Sequence, residues 1–98
     1  MSRKTEQPVV SMRYVGIGVD LPSNKNGGVR VPDERVQDSF EIDIKNRCKP
    51  LGFELWEVDQ LSPSGVIGFM FEVNKPVVSI LRLQNMVEKT AKEFGIID

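Results

Sequence analysis

The acidic residues between positions 33 and 43 are the first place to look for chemistry. Asp33, Glu34, Asp38, Glu41 and Asp43 fall at spacings that a helix turns into neighbours, and two carboxylates held together can bind a hard cation or exchange a proton with a substrate. The structural alternative is a solvated helix face whose first carboxylates complement the helix dipole, and nothing in the sequence forces these groups into a cleft. The chain has no histidine and one cysteine, Cys48. Ser-His-Asp and Cys-His nucleophilic systems, imidazole acid and base catalysis, an internal disulfide and nearly every zinc site are thereby excluded, and neither a metal nor a cofactor is expected.

Three further groups could carry a site. Cys48 has Lys45, Arg47 and Lys49 nearby, which would favour a thiolate, but it also falls on an apolar helical stripe where cysteine behaves as a small hydrophobe. Asn24-Lys25-Asn26-Gly27-Gly28, with Arg30 after it, could form a backbone nest for an anion. It lacks the Gly-x-x-x-x-Gly-Lys pattern and no helix follows at once, so a plain turn is the better reading. Tyr14, Trp56, Phe69 and Phe71 are aromatics on strand-like segments, as in sheets that stack RNA bases. Such sheets carry flanking cations, and between Phe53 and Val73 there is no Lys or Arg.

Gly16-Ile17-Gly18-Val19-Asp20 resembles the strand-borne Gly-x-Gly-x-Asp motif of the small phosphopantetheinyl transferases, in which the acidic residue ligates magnesium. The resemblance covers this segment alone; the Glu-bearing helix and the Lys-Glu-Ala segment of that family are not found, and glycines that thin one face of a strand before a turn account for the same residues. Leu51-Gly52-Phe53-Glu54-Leu55, between a helix and a hairpin, is loosely similar to the N-terminal domain of the bacterial ribosome maturation factors, an analogy that covers Val36 to Phe94 in element order and this stretch alone at residue level.

The elements that would position these groups follow from periodicity. Residues 1–8 are polar, end in Pro8 and read as a disordered arm, leaving one domain over 9–98. Val9 to Leu21 is β-like, with a change of parity between Val10, Met12, Tyr14 and Val15, Ile17, Val19 that suggests a bulge or a strand buried on both faces. After the Asn-Gly turn, Val29 to Val31 reads as a short edge strand before Pro32. Val36, Phe40, Ile44, Cys48 and Leu51 then form a helical stripe, preferred over the strand-like alternation of Phe40 to Ile44. Phe53 to Leu61 and Val66 to Val73 make a hairpin. A second helix carries Ile80, Leu83, Val87, Ala91 and Phe94 on one face, with Ser79 as N-cap and Gly95 after its end.

The order is β-(β)-α-β-β-α, an α+β fold in which a small, mostly antiparallel sheet of three to four strands has two helices packed on one face. With 98 residues, 28% charged and a net charge of -1, the chain has room for one core and no overall pull toward phosphate or anionic lipid. No run is apolar enough to span a membrane, and the expected setting is cytoplasmic.

The hairpin carries the functional expectation. If Leu61 pairs with Gly65, Trp56, Val58, Val66 and Met70 share the face opposite Phe69 and Phe71; if the register slips by one, the sets regroup with Phe53, Leu55, Val66 and Met70 outside. Either way both faces read as apolar, and two helices on one side cannot cover both. The leading reading is therefore a non-enzymatic protein-interaction module, whether homodimer, inhibitor, adaptor or small subunit of an assembly, with Trp56, Val58, Val66 and Met70 as candidate contact residues. Second comes a nucleic-acid- or ribosome-associated domain using Lys45, Arg47, Lys49, Lys89 and Lys92, and last a carboxylate- or magnesium-dependent enzyme.

Overall fold

The computed structural model describes residues 13–61 and 65–98. The segment read as an arm, the start of the first strand before position 13 and the hairpin turn at 62–64 lie outside the described residues. Within them, strand β1 (Tyr14–Asp20) alternates plainly, with Ile17 and Val19 buried, Val15 half-buried, and Tyr14, Gly16, Gly18 and Asp20 exposed on the other face. No bulge is needed where the parity of the sequence changes, because Tyr14 simply takes the outer face and Val15 the inner one.

The chain then turns through a loop closed by one side chain. Asn24 Oδ1 accepts from the N–H groups of Asn26 and Gly28, both at 3.0 Å. Gly27 supplies the left-handed residue at φ 84°. Those N–H groups are thereby taken, and the loop is not an anion nest. The expected fourth strand does not form either. Val29 makes a lone bridge to Ser23, and the Arg30 N–H turns back to the carbonyl of Pro22 at 2.8 Å. Pro32, which has no N–H to give, follows before a ladder can grow.

Helix α1 (Glu34–Cys48) starts where the Asp33 carboxylate accepts from the Arg35 N–H at 2.8 Å. The helical period prevails over the strand-like alternation at residues 40–44. Phe40, Ile44 and Cys48 are fully buried, whereas Ile42, which a strand would have buried on one side, is 61% exposed. A 3-10 turn (Lys49–Leu51) with Pro50 in it ends the helix, and Gly52, at φ 93°, sends the chain into β2. Helix α2 (Ile80–Glu93) is capped by Ser79, whose Oγ accepts from the Arg82 N–H at 3.2 Å, and ends at Gly95 with φ 71°. No helix among the described residues is long and apolar enough to cross a membrane.

Strands β2 (Phe53–Leu61) and β3 (Val66–Val73) pair antiparallel, and β1 pairs antiparallel with the other edge of β3, giving the order β1-β3-β2. Among the described residues the sheet is three-stranded, and both helices cover one face of it. Phe40 is the peg that joins the layers, with its ring edge-on to Phe69 at 5.5 Å between centroids and 6.0 Å from Phe94. Phe53, Phe69, Phe71, Leu83, Val87 and Ala91 complete the core around it.

The hairpin uses both of the registers that the sequence leaves open. Near the turn Leu61 pairs with Val66 and Val58 with Phe69; beyond a bulge, Leu55 pairs with Phe71 and Phe53 with Val73. Trp56 is the residue left over. A bulge places two successive side chains opposite one partner, so Trp56 and Glu57 both stand on the outer face over Met70.

Candidate functional site

The bulge decides which residues reach the uncovered face. Met70 is 36% exposed there, and Trp56, 62% exposed, leans across β3 to meet the Tyr14 ring at 5.4 Å between centroids. Val66 lies half-buried on the same face toward the hairpin turn. Val58 does not join them. It stands opposite Phe69 and packs on the core, because the extra residue at Trp56 shifts the following residues by one position. Of the four expected contact residues the structure brings Trp56, Val66 and Met70 to one face, turns Val58 inward, and adds Tyr14.

The outer face also differs from the apolar surface expected of it. Asp20, Glu54, Glu57, Asp59 and Glu72, every carboxylate of the three strands, are on it, and no strand contains a Lys or Arg. Glu54 and Glu72 are directly opposite each other, an arrangement of like charges that costs a few tenths to about 1 kcal/mol. Arg13 at 3.6 Å from Glu72 and the Asn74 amide at 3.4 Å from Glu54 relieve part of it. Between the carboxylates, Gly16, Gly18 and Gly68 leave the strands bare and form a shallow trough of about 270 Å³, walled by Glu57, Asp59 and Met70. The face thus combines two exposed rings, a flexible thioether, a glycine floor and an acidic frame.

The spacing of Glu54, Glu57 and Asp59, a step of three followed by a step of two, was the signal in the sequence for this frame. An unbroken strand cannot put all of them on one face, so their sharing a face requires one extra residue between 54 and 57.

The other candidate groups are dispersed. Asp33 caps α1, Glu41 accepts from the Gln37 amide at 3.2 Å, and Asp43 pairs with Arg47 at 3.1 Å, while Glu34 and Asp38 face solvent. Among the described residues no three acidic or cysteine side chains converge as metal ligands would. Cys48 is fully buried, its thiol donates to the Lys45 carbonyl at 3.3 Å, and burial pushes its pKa above the ordinary thiol value. It is a core residue.

On the helical side, Lys45, Lys49, Lys89 and Lys92 are exposed. Arg47 is held between the helices by Asp43, by Glu93 at 2.9 Å and by the Thr90 hydroxyl at 2.9 Å, so its charge is already paired. With Arg82 and Lys89 it borders an open groove floored by Leu51 and Met86. Thr90 is fully buried and its hydroxyl donates to the Met86 carbonyl at 2.7 Å, which completes a polar pin between α1 and α2.

Comparison of this chain with protein-family models, with curated proteins and with solved structures finds no match in any of the three.

Proposed function

We propose that this domain is a protein-binding module whose open sheet face takes a cationic segment of another protein. The observation that carries the reading is the coincidence on one face of every strand carboxylate with the exposed side chains of Tyr14, Trp56 and Met70, while both helices pack on the opposite face. Lysine or arginine side chains of a partner would relieve the repulsion between Glu54 and Glu72, and their aliphatic stems or neighbouring apolar residues would cover the rings. The same charge argues against nucleic acid on this face, since phosphate would meet carboxylates. On the helical side Arg47, the central cation of that alternative, is already engaged by two carboxylates. Adaptor, inhibitor and small-subunit roles all use a face of this kind.

Trp56 is the only tryptophan in the chain, so its emission reports on this face alone. A peptide alternating lysine and valine is expected to shift that emission to the blue, with an affinity that falls as salt is raised. A peptide alternating glutamate and valine is expected to leave it unchanged. Reversing two charges of the frame, Glu57→Lys with Asp59→Lys, should weaken the lysine peptide by about tenfold or more. An emission that ignores the lysine peptide, or responds equally to the glutamate peptide, removes the reading. If instead an RNA oligonucleotide binds and the Lys89→Glu variant loses it, the helical face is the functional one.

A further inference from the structure

The two edges of the sheet are built differently. The edge strand β2 carries Glu54, Glu57 and Asp59 and is broken by the Trp56 bulge, two devices that discourage another strand from adding to it. β1, the other edge, has neither. It runs seven residues without Lys, Arg, Pro or bulge, with a single charge at its last position, Asp20, and among the described residues it pairs only with β3.

Its backbone orientation can be read from its ends. The Arg13 carbonyl accepts from the Val73 N–H at 2.7 Å, and the Leu21 N–H donates to the Gly65 carbonyl at 2.7 Å. Odd-numbered residues therefore direct their N–H and C=O groups toward β3, and Tyr14, Gly16, Gly18 and Asp20 direct theirs outward. An outer strand is matched to these groups if its own outward residues fall opposite them.

The sequence supplies that match from the chain itself. Val15-Gly16-Ile17-Gly18-Val19 reads the same in both directions about Ile17. A second copy laid antiparallel about a two-fold axis at Ile17 sets Tyr14 against the partner's Asp20 and Gly16 against the partner's Gly18. In this register every outward N–H and C=O meets its complement. On the inner face the half-buried Val15 meets the partner's Val19, and Ile17 meets the partner's Ile17, so apolar side chains adjoin apolar ones beneath the helices. On the outer face glycine meets glycine, and each Asp20 lies beside a tyrosine rather than a second carboxylate. No like charges are brought together across the seam.

We propose that β1 is the seam of a two-fold dimer in which two three-stranded sheets join into one of six, with the helices of both protomers on one side and both acidic faces on the other. The inference does not rest on the cationic-partner reading, since the seam uses backbone groups and the inner side chains of β1. The two can fail separately.

Sedimentation of the wild-type chain is expected to give twice 11.1 kDa, dissociating on dilution. Gly16→Pro removes one outward N–H that β3 does not use, at a position where an added Cβ meets nothing nearer than the Met70 methyl at 3.8 Å. The variant should keep its circular dichroism and sediment as a monomer. The register is read with the double variant Tyr14→Cys, Asp20→Cys. The paired Cα atoms would sit about 5.5 Å apart across the seam, inside the range a disulfide spans, while the same two positions within one chain are about 20 Å apart. Oxidation should cross-link the double variant into covalent dimers and leave each single variant monomeric on a denaturing gel, with the buried Cys48 not competing. This decides the question even if Gly16→Pro fails to fold. A wild-type mass of 11.1 kDa at every concentration, a folded Gly16→Pro dimer, or single variants that cross-link as readily as the double would overturn the proposal.

Discussion

Phe69→Glu is expected to leave the protein unfolded, while Met70→Glu, one residue along the same strand, leaves it folded. Phe69 is 1% exposed and lies between Phe40 and Phe71. Truncating a buried Phe removes about 3–5 kcal/mol, and a carboxyl placed there without a partner adds several more even if it takes up a proton. Domains of this size have about 5–15 kcal/mol to lose, so the sum reaches the whole stability. Met70 stands on the other side of the pleat, opposite Glu57. A Glu there keeps its water and meets one like charge across the strand, at a cost of about 1 kcal/mol or less, which lowers the melting temperature by about 4–8 °C at most. Met70→Lys would face the same Glu57 with opposite sign and should melt at or above the wild type. Circular dichroism melts of the three variants check the assignment of faces. A folded Phe69→Glu, or an unfolded Met70→Glu, would mean that the strand is turned over.

Gly52→Val should be the most damaging substitution outside the core. The residue sits at φ 93° between the 3-10 turn and β2, donates to the Lys49 carbonyl at 3.0 Å and accepts from the Asn74 N–H at 2.7 Å. A Cβ added to it would lie 2.9 Å from Val78 Cγ1 and 3.0–3.1 Å from two carbons of Lys75. The left-handed backbone costs a side chain about 1–2 kcal/mol and the overpacking about 1–3 more. A loss of about 2–5 kcal/mol in a denaturant titration is expected. Gly27→Val is the control. Its φ of 84° carries the same backbone penalty, but no atom lies within 4 Å of the added carbon, so it should lose only about 1–2 kcal/mol. Equal losses at the two positions would show that backbone angle alone, and not the contact with Val78, sets the cost.

Both helices were legible because each is specified many times over. Phe40, Ile44 and Cys48 repeat at one interval, and Asp33, Pro50, Ser79 and Gly95 mark ends by chemistry that acts within a few residues. The sheet faces were less so. Alternation fixes which residues of a strand lie together only while the strand is unbroken, and a single bulge gives β2 two pairings that a uniform register treats as exclusive. A uniform register puts Val58 beside Trp56, Val66 and Met70 for that reason, and it hides the acidic frame because Glu54 and Glu57 have opposite parity. The supposed strand at Val29 illustrates a different limit. Its residues suit a strand, but pairing needs a partner edge, and Pro22 and Pro32 on either side leave it a single bridge.

Without Trp56, β2 would read Phe53-Glu54-Leu55-Glu57-Val58-Asp59, an uninterrupted alternation of apolar and acidic residues. The tryptophan is thus one residue more than the alternation of the strand needs. Deleting it would leave Phe53, Leu55 and Val58 on the core and Glu54, Glu57 and Asp59 outside, with the hairpin in a single register. Folding gains little from the residue, since an unpaired position bends the strand and a ring 62% exposed buries little. The largest side chain in the molecule therefore occupies the one position of β2 that pairing does not require.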